Sequence, residues 1–169
     1  MPKLIKQKKN VGDIEDFLRE SNAIEGVYDE DSLQQALYAW ESLIGEKEIS
    51  VSVVLKTHKI LMLHQPLRPD ERGYFRRCPV YIGLHEAMNW EHILIAIEQW
   101  CEEMNKKHQG GDMAMTKLLH TRYEDIHPFV DGNGRTGRMF MNWWRIKNGL
   151  PLLIIHEGEE QMEYYKWFK

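Results

Sequence analysis

The amino-acid sequence predicts an all-α protein, a helical bundle with one small β-hairpin. Most apolar residues recur at spacings of three and four positions, which is typical of helices with one buried face. Capping residues, glycines and prolines separate these segments. Only residues 66–83 combine prolines and glycines with strand-forming residues. The 169 residues are enough for a single domain with its own core.

The first part of the chain predicts three helices. Residues 13–21 predict a short helix with Asp13 as a candidate N-cap, and residues 30–44 predict a second helix. Ser50 is expected to cap a third helix, which runs to about Gln65 because a proline follows.

Residues 66–83 differ in character from the segments before them. They hold three prolines, two glycines and strand formers such as Tyr74 and Phe75, which together predict a short β-hairpin. Pro79 removes a backbone donor, so we expect this hairpin to be an edge or a free flap.

The second half of the chain predicts four more helices. They cover residues 89–107, residues 112–125 with Asp112 as the cap, residues 133–148, and about residues 157–168. Apolar residues surround most of the circumference of the helix at 133–148. A helix that is apolar on nearly all sides is buried, so we expect this helix at the centre.

Composition and charge exclude several classes of function. A formal net charge of -4 argues against a general nucleic-acid binder, which is usually basic. No apolar run reaches the length of a membrane span, and the first residues lack the apolar region of a signal peptide. The two cysteines, Cys78 and Cys101, lack metal-binding spacing. We therefore expect a cytoplasmic protein without direct contact to nucleic acid or membrane.

Residues 127–138, HPFVDGNGRTGR, carry the densest chemistry in the chain. Gly132, Asn133 and Gly134 stand where a loop enters the predicted central helix. Glycines let successive N–H groups point into one concavity, and the helix N-terminus adds unpaired donors and a positive dipole. The combination favours a phosphate-binding nest.

Three charged residues flank this nest. Arg135 and Arg138 lie three positions apart on one helical face, and helical side chains lean toward the N-terminus. Two guanidinium groups beside one nest favour a polyphosphate over a single phosphate. Asp131, just ahead of the nest, is a natural ligand for Mg²⁺ beside phosphate.

His127 is the candidate general base. Pro128 disfavours helical geometry in the residue before it, so we expect the preceding helix to end near Ile126 and His127 to be extended at the rim of the nest. An imidazole there has a suitable pKa for taking a proton from a hydroxyl. Phe129 is expected to be a buried anchor, and His120 to be packed and hydrogen-bonded rather than catalytic.

Two common nucleotide motifs do not fit this segment. Gly132, Gly134 and Gly137 spell G-x-G-x-x-G, but that fingerprint follows a strand, whereas a predicted helix comes before this one. The P-loop is excluded because the chain has no Gly-Lys-Ser/Thr sequence.

The segment resembles the signature of the Fic (filamentation induced by cAMP) family, H-x-F-x-[DE]-G-N-G-R-x-x-R, at all eight specified positions. The resemblance covers roughly residues 50–165. It implies the Fic fold and an enzyme, a nucleotidyltransferase that moves AMP from ATP to a Ser, Thr or Tyr hydroxyl of a target protein. We accordingly divide the chain into an N-terminal segment, residues 1–49, and a Fic core, residues 50–169, within one compact domain.

The resemblance also implies the role of each motif residue. His127 would be the general base, and Asp131 would hold the Mg²⁺ that bridges the α- and β-phosphates of ATP. Arg138 would position the γ-phosphate. The residues implied to bind nucleotide phosphates are Gly132, Asn133, Gly134, Arg135 and Arg138.

A second set of residues resembles the family's target-docking flap, G-x-[YF]-R-x-x-x-V-x-I. This hairpin docks the target segment beside the active site. For Arg76, contact with target or nucleotide and a solvated position are both left open. The matching residues are Gly73, Phe75, Arg76, Val80 and Ile82.

Residues 21–26, SNAIEG, resemble the family's inhibitory motif, [ST]-x-x-x-E-[GN], on a helix at about residues 13–26. The resemblance implies that Glu25 pairs with Arg138 and occupies the guanidinium fork needed by the γ-phosphate. Ser21 would help to hold this helix. The alternative is an ordinary helix C-terminus with Gly26 as its cap.

Other activities are left open by the motif. The Doc relatives phosphorylate their targets and carry Lys in place of the second nest glycine, so Gly134 favours AMP transfer. Other nucleotides, such as UTP or CDP-choline, remain alternatives. An inactive binding module is disfavoured because the motif is intact. Self-AMPylation, removal of AMP and a homodimer also stay open.

Overall fold

The chain folds as helices packed around one buried helix, with a small hairpin beside them. The computed structural model describes residues 3–108 and 112–168, with side chains from residue 13 onward. The all-α fold with a small hairpin is confirmed. No helix in the described residues combines the length and apolar character needed to cross a membrane. The α-helices of these residues are α1 (Lys3–Ile24), α2 (Glu30–Ile44), α3 (Val51–Leu61), α4 (Ile93–Asn105), α5 (Met113–Ile126), α6 (Asn133–Lys147) and α7 (Glu159–Tyr165).

The central position predicted for α6 is confirmed. Nearly every one of its side chains is buried, including Phe140 and Trp144, and it packs against α1, α2, α3 and α5. Burying one such side chain contributes roughly 1.5–3 kcal/mol relative to exposure. Because α6 begins inside the motif, this core fixes the start of the helix where the nest lies.

The N-terminal helix is longer than predicted. It begins at Lys3, so Asp13 lies within α1 and the prediction of an N-cap at Asp13 is wrong. Within residues 13–24 of the helix, Phe17 and Leu18 are buried. The ring of Phe17 meets that of Trp40 on α2 edge-on, with 5.5 Å between centroids. These contacts hold the end of α1 against the rest of the bundle.

Capping residues predicted where helices begin more accurately than prolines predicted where they end. The side chains of Ser50 and Asp112 accept hydrogen bonds from backbone N–H groups three residues on, as predicted. Asp29 caps α2 in the same way, which the sequence analysis missed. By contrast, α3 ends at Leu61 rather than near Gln65. The segments predicted at 89–107 and 157–168 each combine an α-helix with a 3₁₀ turn, at Trp90–His92 and Lys166–Phe168.

The hairpin begins inside the predicted segment, residues 66–83, and ends just beyond it. Strands β1 (Tyr81–Ile82) and β2 (His85–Glu86) pair antiparallel, with Tyr81 opposite Glu86. The predicted strand formers Tyr74 and Phe75 lie outside both strands. Phe75 instead packs on the core, 5.7 Å from the ring of Phe129. Packing against the motif thus outweighs the strand propensity of this aromatic residue.

Candidate active site

The motif begins with a change in backbone direction at His127. Helix α5 ends at Ile126, as predicted, but His127 is in the left-handed region, at φ 49° and ψ 63°, and is not extended. Its N–H donates to the carbonyl oxygen of Tyr123 and closes the last turn of the helix. Proline at the next position disfavours the right-handed helical region and does not dictate the extended one. A left-handed residue other than glycine stores on the order of 1–3 kcal/mol of strain.

The imidazole of His127 is oriented by the helix that precedes it. Its Nδ1 lies 3.3 Å from the carbonyl oxygen of Glu124, so Nδ1–H donates and Nε2 keeps a free lone pair. Burial lowers the pKa of His127. The ring is therefore neutral at pH 7 and able to accept a proton on Nε2. The carboxyl group of Glu124, whose pKa burial raises to about 8, lies 3.9 Å from the same Nδ1.

A buried histidine holds the loop that follows. The ring of His58 stacks on Phe129 with 3.6 Å between centroids, and Phe129 is fully buried, as expected. The N–H of Gly73 donates to Nδ1 of His58, so Nε2–H donates to the carbonyl oxygen of Asp131. Burial lowers the pKa of His58 to about 4, which keeps the ring neutral. The sequence analysis did not identify His58, because its partners lie 15 and 73 residues away.

Asn133 closes the same loop with its side chain. Its Nδ2 donates to the carbonyl oxygen of Phe129, and its Oδ1 accepts from the N–H of Phe129. The side chain is therefore occupied by the loop, and only the backbone of Asn133 faces the nest. The resemblance implied that Asn133 binds nucleotide phosphates, and the structure leaves its backbone, not its side chain, for that contact.

The nest lies at the N-terminus of α6. Gly132 is in the left-handed region at φ 83°, and a Cβ there would lie 2.8 Å from Sδ of Met62. No side chain caps the helix, so the N–H groups of its first turn point outward without an intrahelical partner. Asp131 precedes them, accepts from the N–H of Gly132 at 2.7 Å and is largely exposed.

Arg135 lies buried beneath the nest. Its Nη2 approaches Sδ of Met62 at 3.3 Å and Oδ2 of Asp131 at 3.7 Å. Its Nε finds no hydrogen-bond partner among the described residues. A buried guanidinium that is poorly satisfied is ready to bind an anion.

Arg138, one turn further on, is fully engaged by side chains. Its Nε donates to Oγ of Ser21 at 2.9 Å, and its Nη2 donates to the carbonyl oxygen of Ser21 at 2.8 Å. Nη2 also donates to Oε1 of Glu25 at 2.7 Å. Burial alone would lower the pKa of Arg138, but Tyr164 and Glu25 outweigh it and raise the pKa. The structure thus brings together the pair that the resemblance implied.

The Glu25 carboxylate lies directly on the nest. A Cβ added to Gly134 would lie 2.3 Å from Oε1 of Glu25 and 3.0 Å from Nη1 of Arg138. A carboxylate therefore occupies the space that an anion bound to the nest would use. Gly26 follows α1 with a φ of 70°, so it ends the helix as a glycine cap does, and the inhibitory role of the motif stays a prediction.

Several of the predicted site residues line one cleft. A cavity of about 580 Å³ lies between the motif, the hairpin and α7, and it is lined by Glu25, His127, Gly134, Arg138 and Ile82 among others. A larger cavity of about 1060 Å³ runs along residues 153–167 and touches none of the motif residues. We place the site in the smaller cavity because the base, the nest and the guanidinium meet there.

The flap residues divide into buried and exposed groups. Arg76 is buried and donates to the carbonyl oxygens of His127, Cys78, Met88 and Ile126. The solvated position left open for it is therefore wrong, and contact with target or nucleotide stays a prediction. Through these hydrogen bonds, Arg76 connects the flap to the motif. The remaining flap positions run from the buried Gly73 to the exposed tip: Gly73, Phe75, Val80 and Ile82.

Comparison with known proteins places the same segment in one family. The profile of the Fic/DOC family matches residues 48–144. Two curated relatives, each called "Protein adenylyltransferase Fic", come from Drosophila virilis and Drosophila ananassae, at 33% and 31% identity over 134 residues. The alignment covers 78% of this chain but 27% and 26% of theirs. The chain thus spans about a quarter of the length of these relatives.

Solved structures show the same fold. A Fic domain containing signalling protein from Bacteroides thetaiotaomicron superposes with a TM-score of 0.79 at 18% identity, over 95% of this chain and 72% of that one. Fic-1 from C. elegans superposes with a TM-score of 0.68 at 22% identity, over 89% of this chain and 52% of that one. The fold therefore extends beyond the residues that the family profile matches.

Proposed function

The chain belongs to the Fic/DOC family, and we propose that it is a protein adenylyltransferase. It would transfer AMP from ATP to a hydroxyl side chain of a target protein. The proposal rests on one observation above all: a neutral His127, Gly134 of the nest and the buried Arg138 line one cleft, and the buried Arg135 lies one turn before Arg138 on α6. The names of the Drosophila relatives agree with this activity.

His127 supplies the proton transfer. Nδ1–H of His127 donates to the carbonyl oxygen of Glu124, which leaves Nε2 free. Nε2 takes the proton of the target hydroxyl while the oxygen of that hydroxyl attacks the α-phosphorus. The bond from the α-phosphorus to the bridging oxygen breaks, and pyrophosphate leaves with that oxygen. A positioned general base of this kind contributes typically about 10²–10⁴-fold to the rate.

The nest and the two arginines bind the phosphates. Backbone N–H groups at the start of α6 face the developing negative charge, and removing one such donor typically costs roughly 3–4 kcal/mol in the transition state. Arg135 has an unpartnered Nε for the outer phosphates. Arg138 reaches the γ-phosphate once its present carboxylate partner has left.

The residues present fit a magnesium ion beside these phosphates. Asp131 is exposed next to the nest, and only its Oδ1 is used by a backbone N–H. An exposed carboxylate beside phosphate oxygens is the donor set that Mg²⁺ prefers. When bound there, Mg²⁺ would neutralise charge on the phosphates, and Asp131 would be its protein ligand.

We also propose that Glu25 keeps the site inactive. Its carboxylate occupies the Gly134 face of the nest and one edge of the Arg138 guanidinium, so ATP competes with it for both. The γ-phosphate and Glu25 are both anions that need the same donors. Movement of the C-terminal end of α1 would release the site without rebuilding the core.

Incubation with labelled ATP and Mg²⁺ tests the proposed activity. We expect label on the protein itself or on a target in lysate, and intact-mass measurement should show AMP. A mass increase equal to phosphate would instead identify a phosphotransferase. Absence of any transfer from the Glu25→Gly variant, with ATP and Mg²⁺ present, would contradict the proposal.

A further inference from the structure

Tyr164 on α7 contacts the guanidinium of Arg138 from the side opposite to α1. The tyrosine is buried, and its hydroxyl lies 3.3 Å from Nη1 of Arg138. The guanidinium carbon also lies 5.8 Å from the centroid of the tyrosine ring. Both contacts come from a helix that lies outside the segment matched by the family profile.

The hydrogen bonds of Arg138 are unevenly distributed. Three of them go to the end of α1 and the residue that follows it, two to Ser21 and one to Glu25. Tyr164 provides the fourth, from α7. If α1 shifts and releases Arg138, Tyr164 is what remains to orient the guanidinium. A buried charge that loses its partners is costly, so this contact matters most in the released state.

The direction of the hydrogen bond between Arg138 and Tyr164 is fixed by the chemistry of the side chains. Arginine has only N–H donors, so the Tyr164 oxygen accepts from Arg138 and its own hydrogen is free to be donated. Nε2 of His120 lies 2.7 Å from that oxygen. Burial lowers the pKa of His120 to about 3, so the ring is neutral. In the tautomer with its hydrogen on Nδ1, Nε2 accepts from the Tyr164 hydroxyl, and the hydrogen bonds run from Arg138 through Tyr164 to His120.

We propose that Tyr164, supported by His120, is a positioning residue that holds Arg138 in place for the terminal phosphate of the nucleotide. The inference rests on the proposed function and adds a residue to it. It assigns α7 a role in recognising a nucleoside triphosphate over a diphosphate. Tyr164 acts through Arg138 and does not itself touch the reacting atoms.

The test measures nucleotide binding in a released background. Calorimetry would compare ATP and ADP, at equal Mg²⁺, for Glu25→Gly and Glu25→Gly/Tyr164→Phe. We expect the phenylalanine variant to bind ATP about 5-fold more weakly, the value of one hydrogen bond, and ADP with less than a 2-fold change. His120→Leu in the same background should show the same preference to a smaller extent. Tyr165→Phe, at the next position, is the matched control and should change neither affinity.

Two outcomes would overturn the proposal. One is an equal loss of ATP and ADP binding, which would mean that the phenylalanine variant only loosens the packing of α7. The other is an unchanged ATP affinity. Because binding is measured without transfer, failure of the proposed AMP transfer would leave this result readable. If Tyr164→Phe does not fold, His120→Leu decides by the same comparison.

Discussion

Glu25 and Arg138 lie 113 residues apart in the chain and form a hydrogen-bonded ion pair of 2.7 Å at the entrance to the nest. The guanidinium is almost fully buried, whereas the carboxylate keeps 39% of its side-chain exposure. Exposed ion pairs contribute little, but a buried charge that loses its partner is strongly destabilised. In the proposed function, the terminal phosphate of ATP replaces Glu25 as that partner. Under that proposal, the pair links the position of α1 to nucleotide binding.

Removing the imidazole of His127 should stop transfer and leave binding intact. We expect His127→Ala, in the Glu25→Gly background, to lower the single-turnover rate roughly 10²–10⁴-fold with unchanged ATP affinity. Since burial lowers the pKa of His127 below its ordinary 6.5, the neutral base persists to lower pH. The rate should stay flat from pH 8 to 6.5 and fall only in more acid solution. A rate that already falls between pH 8 and 7 would assign the proton transfer to another group.

Chelation of Mg²⁺ should abolish transfer, and Asp131 should set the concentration that restores it. EDTA is expected to stop the reaction, and Asp131→Asn should raise the Mg²⁺ concentration for half-maximal rate by on the order of 10-fold. Asp125→Asn, an exposed carboxylate bordering the same cleft, is the matched control. Transfer in EDTA, or the same Mg²⁺ dependence in Asp131→Asn as in its parent, would exclude Asp131 as the metal ligand.

A methyl group at Gly137 should destabilise the fold behind the site. A Cβ there would lie 2.3 Å from Oε1 of Glu124 and 3.0 Å from the buried ring of Tyr123. Overpacking costs typically about 1–3 kcal/mol, against a gain of roughly 0.5–1 kcal/mol from helix propensity. We expect Gly137→Ala to lower the free energy of unfolding by about 1–2 kcal/mol in urea. Gly45→Ala, whose Cβ would have no atom within 3.7 Å, should change little, and equal stabilities of the two variants would contradict the account.

Acid should destabilise the protein through His120. The unfolded chain takes up the proton near the ordinary pKa of 6.5, whereas the folded chain resists it until about 3, because the ring is buried and lies near Arg138. Stability contributed by the neutral ring is therefore present above pH 6.5 and is lost as the pH falls toward 3. Each such proton adds a slope of about 1.4 kcal/mol per pH unit.

The measurement for this group is the free energy of unfolding in urea between pH 6.5 and 5. His120→Leu should show a shallower fall than the wild type across this window. The exposed His92→Leu provides the control and should follow the wild type. Parallel curves for His120→Leu and the wild type would mean that His120 is already charged in the folded protein.

Sequence-local features of the site were predictable, and long-range ones were not. The nest, the base and the two arginines fall within residues 127–138, so their spacing alone placed them together. Contact with target or nucleotide was left open for Arg76, and the resemblance implied phosphate binding for Asn133. Charged and amide side chains suit both ligands and backbone carbonyls. Their hydrogen bonds to the backbone depend on which carbonyl groups the fold brings near, and the sequence does not specify that.

In the fold, too, features set by neighbouring residues were predictable and features set by distant residues were not. The caps at Ser50 and Asp112 depend on neighbouring residues and were correct. The first strand, Tyr81–Ile82, falls within the predicted segment. Phe75 is not in a strand because it packs on Phe129, a contact between distant residues. His127 was expected to be extended because proline excludes only one region of backbone space, and the helix end selected the left-handed alternative.

The most direct test of the account measures AMP on protein after release of the Glu25–Arg138 pair. Wild type, Glu25→Gly, Glu25→Gly/His127→Ala and the exposed control Glu15→Gly would be incubated with ATP and Mg²⁺ and read by intact mass, with and without lysate. We expect an AMP adduct in Glu25→Gly at 10-fold or more above the wild type, about 1.4 kcal/mol of coupling. The adduct should be absent with His127→Ala, and Glu15→Gly should match the wild type. Equal labelling of wild type and Glu25→Gly, or labelling that survives His127→Ala, would contradict the account.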